Sequence, residues 1–213
     1  MTDIRDNIFN IKQIIPKKVT LVAVTKKKPI SDIKLLYNYG HKVFGENKIQ
    51  ELIPKYESLP KDIEWHMIGH LQRNKVKYIA PFISLIHSID SEKLLVEVNK
   101  RGEENNRIIN VLLQIHIADE NSKFGLTLQE TENLLKNINK YNYVNIQGLM
   151  GMATNTNDDN KIKTEFNKLQ KFYKKYPEYF SILSIGMSGD YKIAIDSGTN
   201  MIRIGSAIFE NRN

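Results

Sequence analysis

Short continuous apolar runs alternate along this chain with apolar residues spaced three or four apart, the signature of buried strands taking turns with amphipathic helices. Ile4, Ile8, Ile11 and Ile15 carry the first helical spacing, behind a cap at Thr2 or Asp3, and Pro16 ends it. Val19 to Val24 is the first run. It suits a parallel strand covered on both faces, and it stops abruptly at Lys26, Lys27 and Lys28. Pro29 and Ser31 then set up a helix with Ile33, Leu36 and Tyr39 inward and Gly40 as its stop.

The unit repeats. Lys42 to Gly45 predicts a strand, with a helix from Glu46 whose inner face is Ile49, Leu52, Ile53 and Tyr56, kinked or cut short by Pro54. Ile63 to Ile68 predicts strand three, Gln72 to Ala80 a basic helix, and Ser84 to Ile89 strand four. Asp90 or Ser91 caps a helix carrying Leu94, Leu95 and Val98 that should stop at Gly102. Ile108 to Ile117 is the strongest strand pattern, and Thr127 with Glu130 forms a capping box for the helix of Leu128, Leu134, Leu135 and Ile138. Val144 to Met150 follows, then a long helix on Ile162, Phe166, Leu169, Phe172 and Tyr176 that ends at Pro177. Ser181 to Gly186, a short helix from Asp190 to Ser197 closed by Gly198, and Met201 to Ile204 complete the pattern.

Eight strand patterns alternating with eight helical ones predict a single-domain (β/α)8 barrel, an α/β fold of the TIM type with an extra N-terminal helix, over residues 1–213. A doubly wound open sheet is the rival. It usually carries a glycine-rich turn after strand one, where this chain has Thr25, Lys26, Lys27 and Lys28.

Composition narrows the setting. With no cysteine, neither disulfides nor thiolate metal sites contribute. No apolar run is long enough to span a bilayer, and Met1 to Pro16 is too polar for a signal segment, so no membrane association and a cytoplasmic location are expected. The net charge of +7 favours an anionic ligand. No stretch interleaves aromatic with basic residues, and Lys171, Lys174 and Lys175 read as a solvated helix face, so no nucleic-acid partner is expected.

The chemistry gathers at strand ends. Phosphate-loop, dinucleotide, zinc-protease and nucleophile-elbow motifs are all missing. His66 and His70 are four apart but straddle Gly69 at the end of a strand, a poor frame for metal. His41, His87 and His116 lack partner spacing and read as satisfied or exposed histidines. In barrels of this class the loops after strands seven and eight often hold a phosphate, and here they read Gly186, Met187, Ser188, Gly189 and Gly205, Ser206. Lys26 ends strand one, which adjoins strand eight once the barrel closes. It is either a solvated lysine or a nucleophile facing a phosphorylated ligand, and the second reading invites Schiff-base chemistry. Partial burial and the like charges of Lys27 and Lys28 would favour its neutral form. Arg203, two residues before Gly205, can point into the same mouth, where a guanidinium beside a pyridine nitrogen would keep that nitrogen unprotonated.

These residues fall in a set of motifs: AVTK at Ala23 to Lys26, FGENKIQE at Phe44 to Glu51, WHMIGHLQRNK at Trp65 to Lys75, DENSKFGL at Asp119 to Leu126, GLMGM at Gly148 to Met152, GMSGD at Gly186 to Asp190 and RIGSAIF at Arg203 to Phe209. Together they closely resemble the YggS/PROSC family of pyridoxal phosphate homeostasis proteins, in order and across essentially the whole chain. The resemblance implies a barrel of the alanine racemase N-terminal type holding pyridoxal 5'-phosphate (PLP) as a Schiff base on Lys26. It implies further that Asn47 contacts the cofactor, that Ser188, Gly205 and Ser206 hold its phosphate, and that Arg203 faces the pyridine nitrogen. Lys28 and Lys123 match further lysines of the family pattern that take up or pass on cofactor. Pro54 is unusual for the family, and Ser206 stands where threonine is also common.

The function so implied is storage, buffering or delivery of PLP with little or no turnover, with apo forms of PLP-dependent enzymes as partners and the protein a monomer. The alternative is a weak amino-acid racemase. Racemisation needs a base on each face of the substrate, and in alanine racemases the second comes from outside this barrel.

Overall fold

The computed structural model describes residues 3–119 and 124–209. Its strands are β1 (Thr20–Val24), β2 (Val43–Glu46), β3 (Glu64–Met67), β4 (Leu85–Ile89), β5 (Ile109–Ile115), β6 (Val144–Gly151), β7 (Ile182–Ser184) and β8 (Met201–Ile204). They close into a barrel in chain order, β8 returning to pair parallel with β1 through Val22 and Arg203. The helices are α1 (Ile4–Ile14), α2 (Ile30–Asn38), α3 (Ile49–Ser58), α4 (Val76–Ile79), α5 (Glu92–Glu104), α6 (Leu128–Lys136), α7 (Asp159–Lys175), α8 (Tyr191–Asp196) and α9 (Ser206–Phe209). The expected (β/α)8 barrel is therefore present, extra helix included.

Asp3 caps α1, and the helix packs on α9 and α2, where the buried Asn7 amide donates to the Ile208 carbonyl at 3.0 Å.

Side chains alternate along each strand, so the barrel has an outer and an inner core. The outer one, between strands and helices, takes Phe44, Trp65, Phe166 and most of the aliphatic side chains. Inside, Val22, Leu85, Leu112, Met150 and Met201 form an apolar layer. Two residues further along three of those strands, the buried inward positions turn polar: His87, Gln114 and Arg203. A polar layer therefore lies above the apolar one, toward the strand ends where barrel sites form.

Several expectations are corrected. Glu46 does not open a helix; it is the last residue of β2 and fully buried. α3 runs through Pro54 to Ser58, since burial of Leu52 and Lys55 on either side outweighs the hydrogen bond a proline forfeits. α2 starts at Ile30 behind Pro29, with no cap from Ser31, and Tyr39 is exposed at its C-terminal end. Gly102 does not end α5: the helix reaches Glu104, and a Cβ at Gly102 would come within 2.7 Å of the Tyr143 carbonyl. Close packing, not a turn, requires that glycine.

Candidate functional site

The strand β1 ends at Val24, and the N–H of the buried Thr25 that follows donates to the Gly45 carbonyl of β2 at 3.0 Å. A tight turn follows, closed by the Lys28 N–H on the Thr25 carbonyl at 3.0 Å, with Lys27 in the left-handed region at φ 59°. Beneath the turn, the Lys55 amine donates to the Thr25 carbonyl at 2.8 Å and to Glu46 Oε1 at 2.5 Å, and the Thr25 hydroxyl donates to that same oxygen at 2.5 Å. Burial raises the Glu46 carboxyl above its ordinary value, against the pull of Lys55 and Thr25. Lys26 stands on this base. The partial burial expected of it is not found: Lys26 is exposed, because the turn lifts it to the rim of the barrel.

Across the mouth, the β7 and β8 loops meet. Ser188 Oγ accepts the Gly205 N–H at 3.1 Å and the Ala207 N–H at 3.4 Å. Gly186 holds φ 97° with its Cβ position 2.6 Å from the Ala194 side chain, so only glycine turns β7 into this loop. Arg203 points inward and is buried; burial lowers its guanidinium to about 10 against the pull of the Asp190 charge, and it is still a cation at neutral pH. One of its terminal nitrogens donates to the Ser184 carbonyl at 2.8 Å and to the Ser184 hydroxyl at 2.6 Å, the other to the Gly151 carbonyl at 3.0 Å. A guanidinium has five N–H donors, so two remain for a ligand.

All six residues expected at a cofactor site, Lys26, Asn47, Ser188, Arg203, Gly205 and Ser206, line one cavity of about 350 Å³ with Val24, Ile68, Met152 and Met187. A larger cavity of about 510 Å³ borders the same two methionines, but Asp159 and Asp190 line it and no lysine or arginine does, which suits a phosphate poorly.

The smaller cavity fits PLP on three counts. Asn47 Oδ1 lines it as a buried polar atom without a partner. Arg203 is buried and gives three of its five N–H donors to Ser184 and Gly151 oxygens, which leaves donors for a ligand. Gly205 lines the cavity without a side chain, and a Cβ there would sit 3.4 Å from the Val24 side chain.

The remaining candidates lie apart from this cavity. His66 is buried in the barrel, whereas His70 is outside it, bonded to Asp90 at 3.0 Å and stacked on Phe124, and no cluster of three metal-ligating side chains exists among the described residues. The Lys28 amine lies 5.8 Å from the centre of the Phe209 ring. Lys123 lies outside the described residues. The sequence reading missed His87, which reaches both His66 and Ser184, and also the base formed by Glu46 and Lys55.

The profile of the family described as alanine racemase, N-terminal domain, matches residues 1–212. The chain belongs to this family. Within the alanine racemase N-terminal domain family it is similar to a pyridoxal phosphate homeostasis protein of Aquifex aeolicus, 35% identical over 197 residues that cover 90% of this chain and 86% of the relative. Among solved structures it is similar to PipY of Synechococcus elongatus with PLP bound: TM-score 0.89, 28% identity, 97% of this chain and 100% of that one. An alanine racemase of Clostridium difficile shares the fold at TM-score 0.82 and 13% identity, with 99% of this chain covering 57% of that one. That likeness concerns the barrel alone.

No helix among the described residues is long and apolar enough to cross a membrane.

Proposed function

We propose that this protein binds pyridoxal phosphate and serves its homeostasis, holding the cofactor for storage, buffering or delivery. One observation carries the reading: the residues that a covalent PLP site needs, a lysine, an arginine, two serines and a glycine, line a single cavity at the strand ends. In this reading Lys26 is the attachment point, Ser188, Ser206 and the backbone at Gly205 hold the phosphate, and Asn47 orients the ring. Arg203 gives a spare N–H to the ring nitrogen and, as a permanent donor, keeps it unprotonated. When bound, the cofactor supplies an aldehyde carbon for the lysine amine and a ring able to accept electron density.

Among the described residues that line the cavity, Lys26 and Arg203 are the only titratable side chains. A racemase needs a second proton donor opposite the lysine, and Ile68, Met152 and Met187 offer none. Turnover is therefore negligible, and apo forms of PLP-dependent enzymes are the recipients of the cofactor, reached from a cytoplasmic monomer. The test is direct. Purified protein incubated with PLP and desalted should be yellow and should bleach on borohydride reduction; a colourless protein with no retained PLP would overturn the reading.

A further inference from the structure

A line of buried polar side chains runs behind Arg203, across the barrel from β8 to β3. The Arg203 guanidinium meets Ser184 Oγ at 2.6 Å, Ser184 Oγ meets His87 Nδ1 at 3.2 Å, and His87 Nε2 meets His66 Nδ1 at 3.0 Å. Ser184 and His87 are fully buried and His66 nearly so. Nothing in the proposed binding of PLP uses these three side chains directly.

The donors and acceptors along this line can be assigned one after another. A guanidinium only donates, so Ser184 Oγ accepts from Arg203. The hydroxyl oxygen could accept a second bond, but its single hydrogen also needs a partner at this fully buried site, and the arrangement that pairs it within the line has Ser184 donating to His87 Nδ1. His87 Nδ1 is therefore bare and its proton sits on Nε2, which donates to His66 Nδ1. His66 in turn carries its proton on Nε2. Both rings are neutral, in agreement with burial, which lowers His66 to about 3 and His87 well below the ordinary histidine value. Every bond along this line thus points away from Arg203, whose guanidinium donates to three neutral acceptors, the Ser184 carbonyl, the Ser184 hydroxyl and the Gly151 carbonyl, while the Asp190 charge attracts it.

We infer that Ser184, His87 and His66 are positioning residues: a one-way hydrogen-bond chain that aims Arg203 and keeps its spare N–H directed at the ring nitrogen of the cofactor. The inference rests on the PLP reading above and adds to it the means by which the arginine is held. A carboxylate partner would also fix a guanidinium, but it would neutralise the charge. Neutral acceptors fix the geometry without pairing the charge.

The test compares PLP with deazapyridoxal phosphate, in which C–H replaces the ring nitrogen and all else is kept. Dissociation constants for both are measured on wild-type protein and on Ser184→Ala, His87→Leu and His87→Asn, with thermal midpoints recorded alongside. A hydrogen bond from a charged donor predicts that wild type prefers PLP by about tenfold or more. Ser184→Ala and His87→Leu should shrink that preference to under about threefold, because the arginine loses its aim, while His87→Asn, which keeps an acceptor near the Nδ1 position, should retain most of it. The preference is a ratio, so it is blind to a general loss of affinity. Variants that bind both compounds more weakly at an unchanged ratio would overturn the inference and leave the chain a structural feature. Wild type binding both compounds equally would overturn it as well and leave the PLP reading standing, whereas wild type binding neither would overturn the PLP reading itself.

Discussion

The backbone N–H of Lys27 donates to Glu51 Oε2 at 2.5 Å, and this bond pins the residue after Lys26 at φ 59°. A lysine in the left-handed region is strained by about 1–2 kcal/mol, so the surroundings have to enforce it. They do so from α3, which carries both Glu51 and Lys55 and therefore holds the Lys26 turn by its N–H and by the Thr25 carbonyl at once. The proposed attachment lysine is thus held by its neighbours, and the helix after β2 sets the geometry of the end of β1.

Glu51→Ala should release the turn. The loss of one charge-assisted hydrogen bond at a partly exposed site predicts a destabilisation of about 1 kcal/mol and slower covalent capture of PLP by Lys26. Adding Lys27→Gly, which accepts the left-handed conformation without strain, should restore most of the capture rate. Stopped-flow absorbance after mixing with PLP measures this, and an unchanged rate in Glu51→Ala would show that the bond holds nothing of consequence.

Lys26, not Lys27 or Lys28, should carry the pyridoxyl mass after borohydride reduction and peptide mapping. Lys26 is the lysine of the three that lines the cavity, while Lys28 leans over Phe209. Label found mainly on another lysine would displace Lys26 from the site.

Much of this arrangement could be read from the sequence, and the rest could not, for reasons of register. The eight strands were legible because each is a short apolar run, and the six cavity residues because they sit at strand ends within recognisable motifs. The polar chain was hidden. His66, His87, Ser184 and Arg203 come from four strands, with separations of 21, 97 and 19 residues, and no local spacing joins them. The available signal was their shared context, since each follows an apolar outward residue, Trp65, Ile86, Leu183 or Ile202, and so faces the barrel interior. Glu46 was misread for a related reason: an acidic residue after a glycine resembles a helix start until its buried partner Lys55 is known.

The β7 and β8 loops supply the third prediction. Ser188 already accepts two backbone N–H groups, which leaves its own hydrogen free to donate to a phosphate. Ser188→Ala should weaken PLP retention by about tenfold or more, through a lost charge-assisted bond of about 1.5–3 kcal/mol. Ser206→Ala should act in the same direction, and circular dichroism should show the barrel intact in both. A double variant that holds PLP through extended dialysis as tightly as wild type would remove the phosphate from this loop pair.

The last prediction concerns acid lability and is independent of the cofactor. His41 is buried with its Nε2 donating to the Val43 carbonyl at 2.9 Å; burial first and the Lys12 charge second lower it to about 4. In the unfolded chain the same ring titrates near about 6.5. Between those values the unfolded state binds a proton that the folded state refuses, so stability is fully present above about pH 6.5 and drains away as pH falls toward about 4. Within that window one such site contributes a slope of about 1.4 kcal/mol per pH unit. His66 and His87 are lowered in the same sense and add to it. His41→Gln keeps an amide donor for Val43 and cannot titrate, so its stability should fall less steeply by about one proton. Urea unfolding of both proteins from about pH 7 to pH 5 reads this out as a difference in slope, in which the carboxylates common to both cancel. Parallel profiles would mean that His41 takes up its proton in the folded protein as readily as in the unfolded one, and that burial at this site does not govern its charge.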